Sequence, residues 1–251
     1  MIGEVIKWLN DPGHWHGTKF DVGITSQLET HLRYSIVAVL IALLIALPAG
    51  LAIGHTGKAT SLVTVANAVR ALPTVGVLVL LVVIISPHYH GRTNLGFLIP
   101  TEIVLVLLAI PAILANTFAG VQNVDPAVRD AAYGMGMTGP QVLAKVELPN
   151  SLPLIFSGLR SAALQVIATT TIASYVTLGG LGRFIYDGFY QQDFPQMISG
   201  GVLVAALALL TDLILGTVQR YTVSRGLTGR YSTKAAGPVA ATLQESGVAD
   251  H

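Results

Sequence analysis

Five long, mostly apolar stretches dominate this sequence of 251 residues. The first of them, 34–53, reads YSIVAVLIALLIALPAGLAI and contains no charged residue. A helix that crosses a bilayer needs roughly 20 predominantly apolar residues. Soluble domains carry about 25% charged residues, whereas this chain carries 11%. The sequence therefore predicts an all-α, polytopic membrane protein with five core transmembrane helices.

The other four predicted spans contain polar residues or prolines. Neighbouring helices re-satisfy the backbone groups that such residues leave free, so their presence does not exclude a span. Small residues on the second to fourth spans favour close packing between helices. These four spans are predicted at 61–86, 95–121, 152–178 and 200–219.

The spans divide the chain into three parts. Residues 1–30 are predicted to form an extracytoplasmic, interfacial segment, in which Trp8 and Trp15 suit the aromatic belt of a membrane surface. Residues 31–225 form the transmembrane domain. Residues 226–251 form a cytoplasmic tail whose lack of hydrophobic periodicity is typical of disorder. No basic region precedes an apolar region at the N-terminus, so no cleavable signal peptide is predicted.

Lysine and arginine in the connections predict the orientation, because they are enriched on the cytoplasmic side. If odd-numbered spans enter from outside, the inner connections hold seven of these residues and the outer ones hold five. The basic cluster after the last span lies on the richer side. The sequence therefore predicts a multi-pass protein of the plasma membrane with its N-terminus outside and its C-terminus inside.

The connection between the third and fourth spans, 122–150, has more helix punctuation than a turn requires. Asp-Pro at 125–126 is typical of a helix start, and Gly134 is typical of a helix end. A capping box at 138–141 begins a second helix, which is predicted to end before Pro149. The pattern predicts a rigid elbow of two short helices, with an ordinary interfacial connection as the alternative.

The residue order in this elbow resembles the EAA loop of ABC-importer permeases. The matching parts are Asp-Ala-Ala at 130–132, Gly-Met-Thr at 136–138 and Glu-Leu-Pro at 147–149. Asp130 stands where that family usually has Glu. Over about residues 25–230, including LGGLGRFIYDGF and an Asp-bearing last span, the chain looks like the glycine betaine/choline/proline-betaine branch, which implies the type I importer fold.

This resemblance implies a transport subunit that is not itself an enzyme. Its implied partners are a second permease copy or a sister permease, two ATPase subunits that bind ATP and Mg, and an extracytoplasmic substrate-binding protein. The implied substrate is a compatible solute such as glycine betaine or choline, imported by alternating access. The residues implied to dock the ATPase are Arg129, Asp130, Ala131, Ala132, Gly134, Gly136, Met137, Glu147 and Pro149.

No cofactor, metal or nucleic-acid site is predicted in the chain itself. The stretch GHTGKAT at 54–60 lacks the first glycine of a phosphate-binding loop and the Ser or Thr after its lysine. His14-x-His16 and His88-x-His90 lack a third ligand nearby, and complete metal sites need three or four. The net charge of +1 implies no basic surface for nucleic acid. ATP binding therefore falls to a partner chain.

Charged residues inside the predicted spans invite pairing, because an isolated charge is costly in a bilayer. Arg160 lies about nine residues into the fourth span, and Asp212 lies about seven residues from the inner end of the fifth. Their depths match, so we predict an intramembrane ion pair. Arg70 could share Asp212 or line the pathway. Glu102, in the outer half of the third span, could attract a cation or simply face water.

Polar or kinked positions on spans two to four are the candidates for the translocation pathway. They could line a cavity or satisfy backbone carbonyls, and the sequence favours neither. Aromatic faces commonly hold quaternary ammonium groups. Because the spans contain few aromatic residues, we expect selectivity to reside in the binding protein. The pathway candidates are Asn67, Arg70, Pro73, Thr74, Asn116, Thr169 and Thr170.

Two other functions remain open at the level of sequence. One is an ABC-importer permease for another small solute, such as an amino acid or a thiol-betaine. The other is a channel or secondary transporter that acts without an ATPase. The elbow at 122–150 has no role in a channel or secondary transporter. A co-purified ATPase would exclude this second function.

Overall fold

The computed structural model describes residues 2–17, 23–89 and 94–223, and these residues form helices and loops but no strand. The prediction of an all-α protein is confirmed. The predicted tail at 226–251 and His90 lie outside the described residues. In chain order the helices are α1 (Ile2–Asn10), α2 (Pro12–His16), α3 (Ile24–Thr56), α4 (Ser61–Val69), α5 (Thr74–Ile85), α6 (Leu95–Gln122), α7 (Pro126–Gly134), α8 (Gly139–Val142), α9 (Leu148–Thr170), α10 (Gly182–Gln191) and α11 (Phe194–Thr222).

Three short segments of non-α helix extend these elements. A 3-10 turn, Ser86–His88, follows α5, and a longer one, Thr171–Val176, follows α9. A π-helical turn, Leu143–Glu147, joins α8 to α9 without a break. The stretch Gly139–Val176 is therefore one helical rod of 38 residues.

Four helices of the described chain are long and apolar enough to cross a membrane, namely α3, α6, the rod that contains α9, and α11. Helices α4 and α5 pass the same test only as a pair, and they are bent by 88° at the break between them. Counted as one crossing, this pair brings the spans to the five that the sequence predicts.

The predicted second span is thus two helices rather than one. Helix α4 ends at Val69, and α5 begins at Thr74, directly after Pro73. Proline has no N–H with which to continue a helix, and its ring disfavours the helical conformation of Leu72 before it. The sharp change of direction follows from this local chemistry.

Helices α3 and α6 pack along a stripe of small residues on α3. A Cβ atom added at Gly50 would lie 2.7 Å from Thr117 Cβ. One added at Gly54 would lie 2.7 Å from Val121 Cβ. Only glycine permits this approach, so the two backbones lie close together near the C-terminal end of α3. The stripe repeats every fourth residue, stays on one helix face and is buried at Ala38, Ala42, Ala46, Gly50 and Gly54.

Helix α9 packs against α6 by the same means. A Cβ atom at Gly120 would lie 2.8 Å from Ser151 Cβ, and one at Gly158 would lie 2.7 Å from Asn116 Cβ. Helices α4 and α5 lie against α6, and α11 lies against α9. The three helices α3, α6 and α9 therefore form the centre of the bundle.

The end of the bundle away from α7 and α8 is closed by polar contacts between α3 and the loop before α10. His31 is fully buried. Its Nδ1 accepts from the Leu181 N–H at 3.3 Å, and its Nε2 lies 3.0 Å from the Ile167 carbonyl oxygen. Both bonds require a neutral ring with the proton on Nε2. Gln27 Oε1 accepts from the Gly180 N–H at 2.6 Å. The sequence reasoning did not identify this buried network.

Candidate functional site

The first arm of the elbow is α7, and its ends follow from local sequence. Asp125 Oδ1 accepts a hydrogen bond from the Ala127 N–H at 2.9 Å, and Pro126 occupies the first turn. The helix ends at Gly134, as the sequence predicts. The left-handed conformation, however, belongs to Gly136, whose φ is +81°. The left-handed position of this turn is therefore the second glycine rather than the first.

The second arm begins with the predicted capping box. The Thr138 N–H donates to Gln141 Oε1 at 2.8 Å, at the start of α8. The prediction that this helix ends before Pro149 is wrong, because the π-helical turn carries it into α9. Pro149 cannot donate to the carbonyl four residues earlier, and the π-helical turn ends two residues before it. The second arm and the fourth span are one continuous rod.

Glu147 joins the elbow to the end of the first span. Its side chain is 2% exposed. Its Oε1 lies 2.8 Å from Arg129 Nε on α7, and its Oε2 lies 2.6 Å from His55 Nδ1 at the end of α3. Arg129 also donates from Nη2 to the carbonyl of Val121 at the end of α6. One buried carboxylate thus connects both arms of the elbow with the first span, α3. Arg129 also connects the elbow with the third span, α6.

The predicted docking residues divide into buried and exposed groups. Glu147 and Ala132, which is 1% exposed, face the protein interior and hold the elbow in place. Arg129, Met137 and Pro149 are half-buried. The surface is formed by the remaining predicted residues, Asp130, Ala131, Gly134 and Gly136.

Three large apolar side chains at the tip of the elbow were not predicted. Val128 is 45% exposed, Tyr133 is 48% exposed and Met135 is 72% exposed. Exposed apolar groups of this kind mark protein or lipid contact surfaces. Helical spacing places Val128 and the C-cap residue Met135 on the same side as the buried Ala132, whereas Tyr133 lies off this side.

Arg160 and Asp212 are brought together between α9 and α11. Arg160 Nε donates to Asp212 Oδ1 at 2.8 Å and Nη2 donates to Oδ2 at 2.8 Å, so the pair is bidentate. Arg160 Nη1 also donates to Gln219 Oε1 at 3.3 Å. The guanidinium lies over Gly216, where an added Cβ would be 3.6 Å from Arg160 Cζ. The two helices are therefore joined by a geometrically specific pair.

The pathway candidates separate into three kinds of position. Thr74 and Thr169 line a common cavity of about 10 Å³, which holds about one water molecule at most. Asn116 Nδ2 donates to the Ala112 carbonyl, and Thr170 Oγ1 donates to the Val166 carbonyl, each at 2.8 Å. The second pair thus satisfies its own helix backbone. The exposed positions around the break between α4 and α5 are Asn67, Arg70 and Pro73.

Within the described part of the chain, no three His, Asp or Glu side chains are close enough to hold a metal ion. The His14 ring instead stacks on Trp8, with ring centroids 4.3 Å apart.

The sequence is similar to those of known transport proteins. Residues 42–225 match the model of a family described as binding-protein-dependent transport system inner membrane component. The chain is 34% identical over 218 residues to the carnitine transport permease protein OpuCB of Listeria monocytogenes, covering 87% of this chain and 93% of that protein. It is 30% identical over 200 residues to the glycine betaine/carnitine/choline transport system permease protein OpuCB of Bacillus subtilis, covering 79% and 88%.

Solved structures share the fold. The chain resembles a chain from the inward-facing conformations of the MetNI methionine ABC transporter with a TM-score of 0.69 and 20% identity, covering 80% of this chain and 96% of that one. A crystal structure of an amino acid ABC transporter gives a TM-score of 0.60 and 18% identity, covering 79% and 91%. At these identities the likeness is one of architecture.

Proposed function

Because the chain belongs to the family of binding-protein-dependent transport system inner membrane components, we propose that it is the membrane-spanning subunit of an ATP-driven importer. The observation that carries this proposal is the elbow. It is anchored in the bundle by the buried Glu147 carboxylate, and it exposes apolar side chains at its tip. A rigid projection with an apolar tip suits a docking surface for a separate ATPase subunit.

The substrate class follows from the relatives. Their names specify carnitine, choline and glycine betaine, and these solutes share a trimethylammonium group. The matches extend over most of both chains rather than over the elbow alone. We therefore propose a small trimethylammonium solute as the cargo of this importer.

The proposed assembly contains two permease chains, two ATPase subunits and an extracytoplasmic binding protein. The ATPase subunits bind ATP and Mg and dock on the loop at 122–150, which faces the cytoplasm. The N-terminus lies outside and the C-terminus inside. When the ATPase dimer closes, it moves α7 and α8. Since α8 continues into α9, that movement reaches the fourth span without passing through a flexible joint, and Glu147 carries it to α3.

Site-specific cross-linking tests the docking surface. The chain contains no cysteine, so Met135→Cys introduces a unique thiol at the exposed tip. A photoreactive maleimide at this position should cross-link to an ATPase subunit coexpressed with the permease. Gly3→Cys, at an open position of α1, away from the elbow, is the matched control and should not. Cross-links from position 135 to lipid alone would contradict the proposed docking.

Uptake by proteoliposomes tests the substrate class. The complete assembly, with ATP inside and the loaded binding protein outside, should accumulate labelled choline, glycine betaine or carnitine. Labelled methionine is the control, because the structural neighbours include a methionine transporter. Accumulation of methionine alone would replace the proposed substrate by an amino acid. Accumulation of a trimethylammonium solute without ATP would indicate a secondary transporter.

A further inference from the structure

Four aromatic side chains gather beside α9 and α10, outside the elbow. The rings of Tyr175 and Tyr186 are edge-to-face with centroids 5.7 Å apart. Tyr186 and Tyr190 have centroids 4.7 Å apart, and Phe189 lies 5.8 Å from Tyr190. Tyr175, Phe189 and Tyr190 are each more than half exposed. We call these four residues the aromatic cluster. Most are therefore open to a ligand rather than filling the core.

The aromatic cluster borders a cleft of about 330 Å³. This volume is at the lower end of the range for small-molecule sites, which is about 300–1,000 Å³. The lining includes the rings of Tyr175, Tyr186 and Phe189 together with Thr171 and Val75. It is almost entirely apolar, and no lysine or arginine of the described chain contributes to it.

The cleft lies next to the break in the second span. Val75 belongs to the first turn of α5, immediately after the break. Its neighbour Thr74 lines the small cavity shared with Thr169 on α9. Discontinuous helices are a frequent location of substrate sites in transporters. The cleft therefore adjoins the same part of the bundle as two of the pathway candidates.

The chemistry of the cleft suits a cation that cannot donate hydrogen bonds. The faces of aromatic rings carry partial negative charge and attract quaternary ammonium groups. The basic side chain on α10 is Arg183, which is paired with Asp187 at 3.0 Å. This pairing offsets a charge that would otherwise repel a cation. An anionic or strongly hydrated solute would find few partners here.

We infer that the aromatic cluster binds the trimethylammonium group of the solute during its passage through the permease. This inference rests on the proposed function and extends it, because it assigns substrate recognition to this chain as well as to the binding protein. It also modifies the sequence-based expectation that the permease has too few aromatic residues to contribute.

Ligand-observed NMR provides the test. The permease–ATPase complex is placed in nanodiscs without binding protein, and its proton resonances are saturated. The transfer of this magnetic saturation to the methyl protons of choline is then measured. The neutral isostere 3,3-dimethyl-1-butanol is the control ligand. Wild-type complex should transfer saturation to choline more strongly than to the isostere. Loss of one ring that lines the cleft, in Tyr186→Leu or Tyr175→Leu, should weaken choline binding about three- to tenfold.

Two further variants separate recognition from general effects of mutation. Tyr186→Phe keeps the ring and loses only the hydroxyl, which lies 3.1 Å from that of Tyr190, so it should bind choline nearly as well as wild type. Tyr221→Leu removes an aromatic ring that is 86% exposed at the far end of α11 and should also bind normally. Equal signals from choline and the isostere, or equal loss in the Phe and Leu variants, would overturn the inference.

Uptake measurements distinguish failure of this inference from failure of the proposed function. Suppose that the wild-type assembly accumulates choline and that the Tyr186→Leu assembly does so with an unchanged KM. The proposed importer function is then supported, and the proposed binding by the aromatic cluster is contradicted. If wild-type assembly accumulates no trimethylammonium solute, both are wrong. A raised KM in Tyr186→Leu, restored in Tyr186→Phe, supports both.

Discussion

At the scale of single residues, Glu147 links the elbow to the bundle. We expect Glu147→Gln to destabilise the protein by about 1–3 kcal/mol, because it leaves the Arg129 guanidinium without its counterion in a largely buried site. The lower part of that range applies because Arg129 and His55 remain 22% and 19% exposed. Thermal unfolding of the purified permease, followed by tryptophan fluorescence, measures the effect.

The same substitution should also reduce uptake more than ATP hydrolysis. In the proposed assembly, an elbow that is no longer held by α3 still contacts the ATPase but transmits less of its movement. Glu29→Gln is the matched control, since it makes the same chemical change at an exposed position of α3 away from the elbow. Equal unfolding temperatures and equal uptake for the Glu147→Gln and Glu29→Gln proteins would show that Glu147 has no such role.

The two glycines of the elbow allow a matched comparison. Gly136 has φ of +81°, and Gly134 does not adopt a positive φ, although neither would meet another atom within 4 Å on gaining a Cβ. Gly136→Ala should therefore cost about 1 kcal/mol, whereas Gly134→Ala should be neutral or stabilising. Hydrogen exchange of the peptide 126–147 should accelerate about fivefold in Gly136→Ala only. Identical exchange in both variants would place the turn elsewhere.

The residue scale also shows what sequence reasoning can reach. The Asp125 cap and the Thr138 capping box were predicted correctly because each depends on residues no more than three positions apart. The burial of Glu147 was not predicted, because its partner His55 is 92 positions away. Charge in a loop suggests exposure, and only the tertiary contact reverses that expectation.

At the scale of helices, the pair Arg160–Asp212 holds α11 against α9. We expect Arg160→Met and Asp212→Leu each to destabilise the permease by about 1–3 kcal/mol, because each leaves one charge unpaired. The double variant should be more stable than either single one, because it leaves no unpaired charge. Unfolding temperatures of the four proteins form a double-mutant cycle. Additive losses in the double variant would mean that the two side chains act independently.

Prolines illustrate why helix continuity could not be read from the sequence. Pro48, Pro100, Pro111 and Pro153 all lie inside continuous helices. Pro73, by contrast, coincides with a bend of 88°. A proline removes one hydrogen bond wherever it occurs, but neighbouring helices decide whether the freed groups are satisfied in place. The five spans were therefore predictable from the sequence. The sequence did not indicate that the second span, α4 and α5, is the one that is broken.

At the scale of the whole molecule, the two ends of the bundle have different characters. The elbow, the end of α3 and the end of α11 lie together, since Gln122 Nε2 donates to the Gly54 carbonyl and Gln219 Nε2 donates to the Pro153 carbonyl. Helices α1 and α10 lie at the other end, where Trp8 contacts Phe184 with ring centroids 5.5 Å apart. Once the side of the membrane is known for one end of the bundle, the side of the other end follows.

The excess of inner lysine and arginine, seven against five, favours the elbow inside, and thiol labelling tests it directly. Because the chain lacks cysteine, Gly3→Cys and Met135→Cys each place one thiol at an open position of the two ends. A membrane-impermeant maleimide should label Gly3→Cys in right-side-out vesicles and Met135→Cys in inverted ones. Leu44→Cys should react in neither, because thiols form little thiolate in an apolar environment. The reverse pattern would place the elbow outside, where no ATPase could reach it.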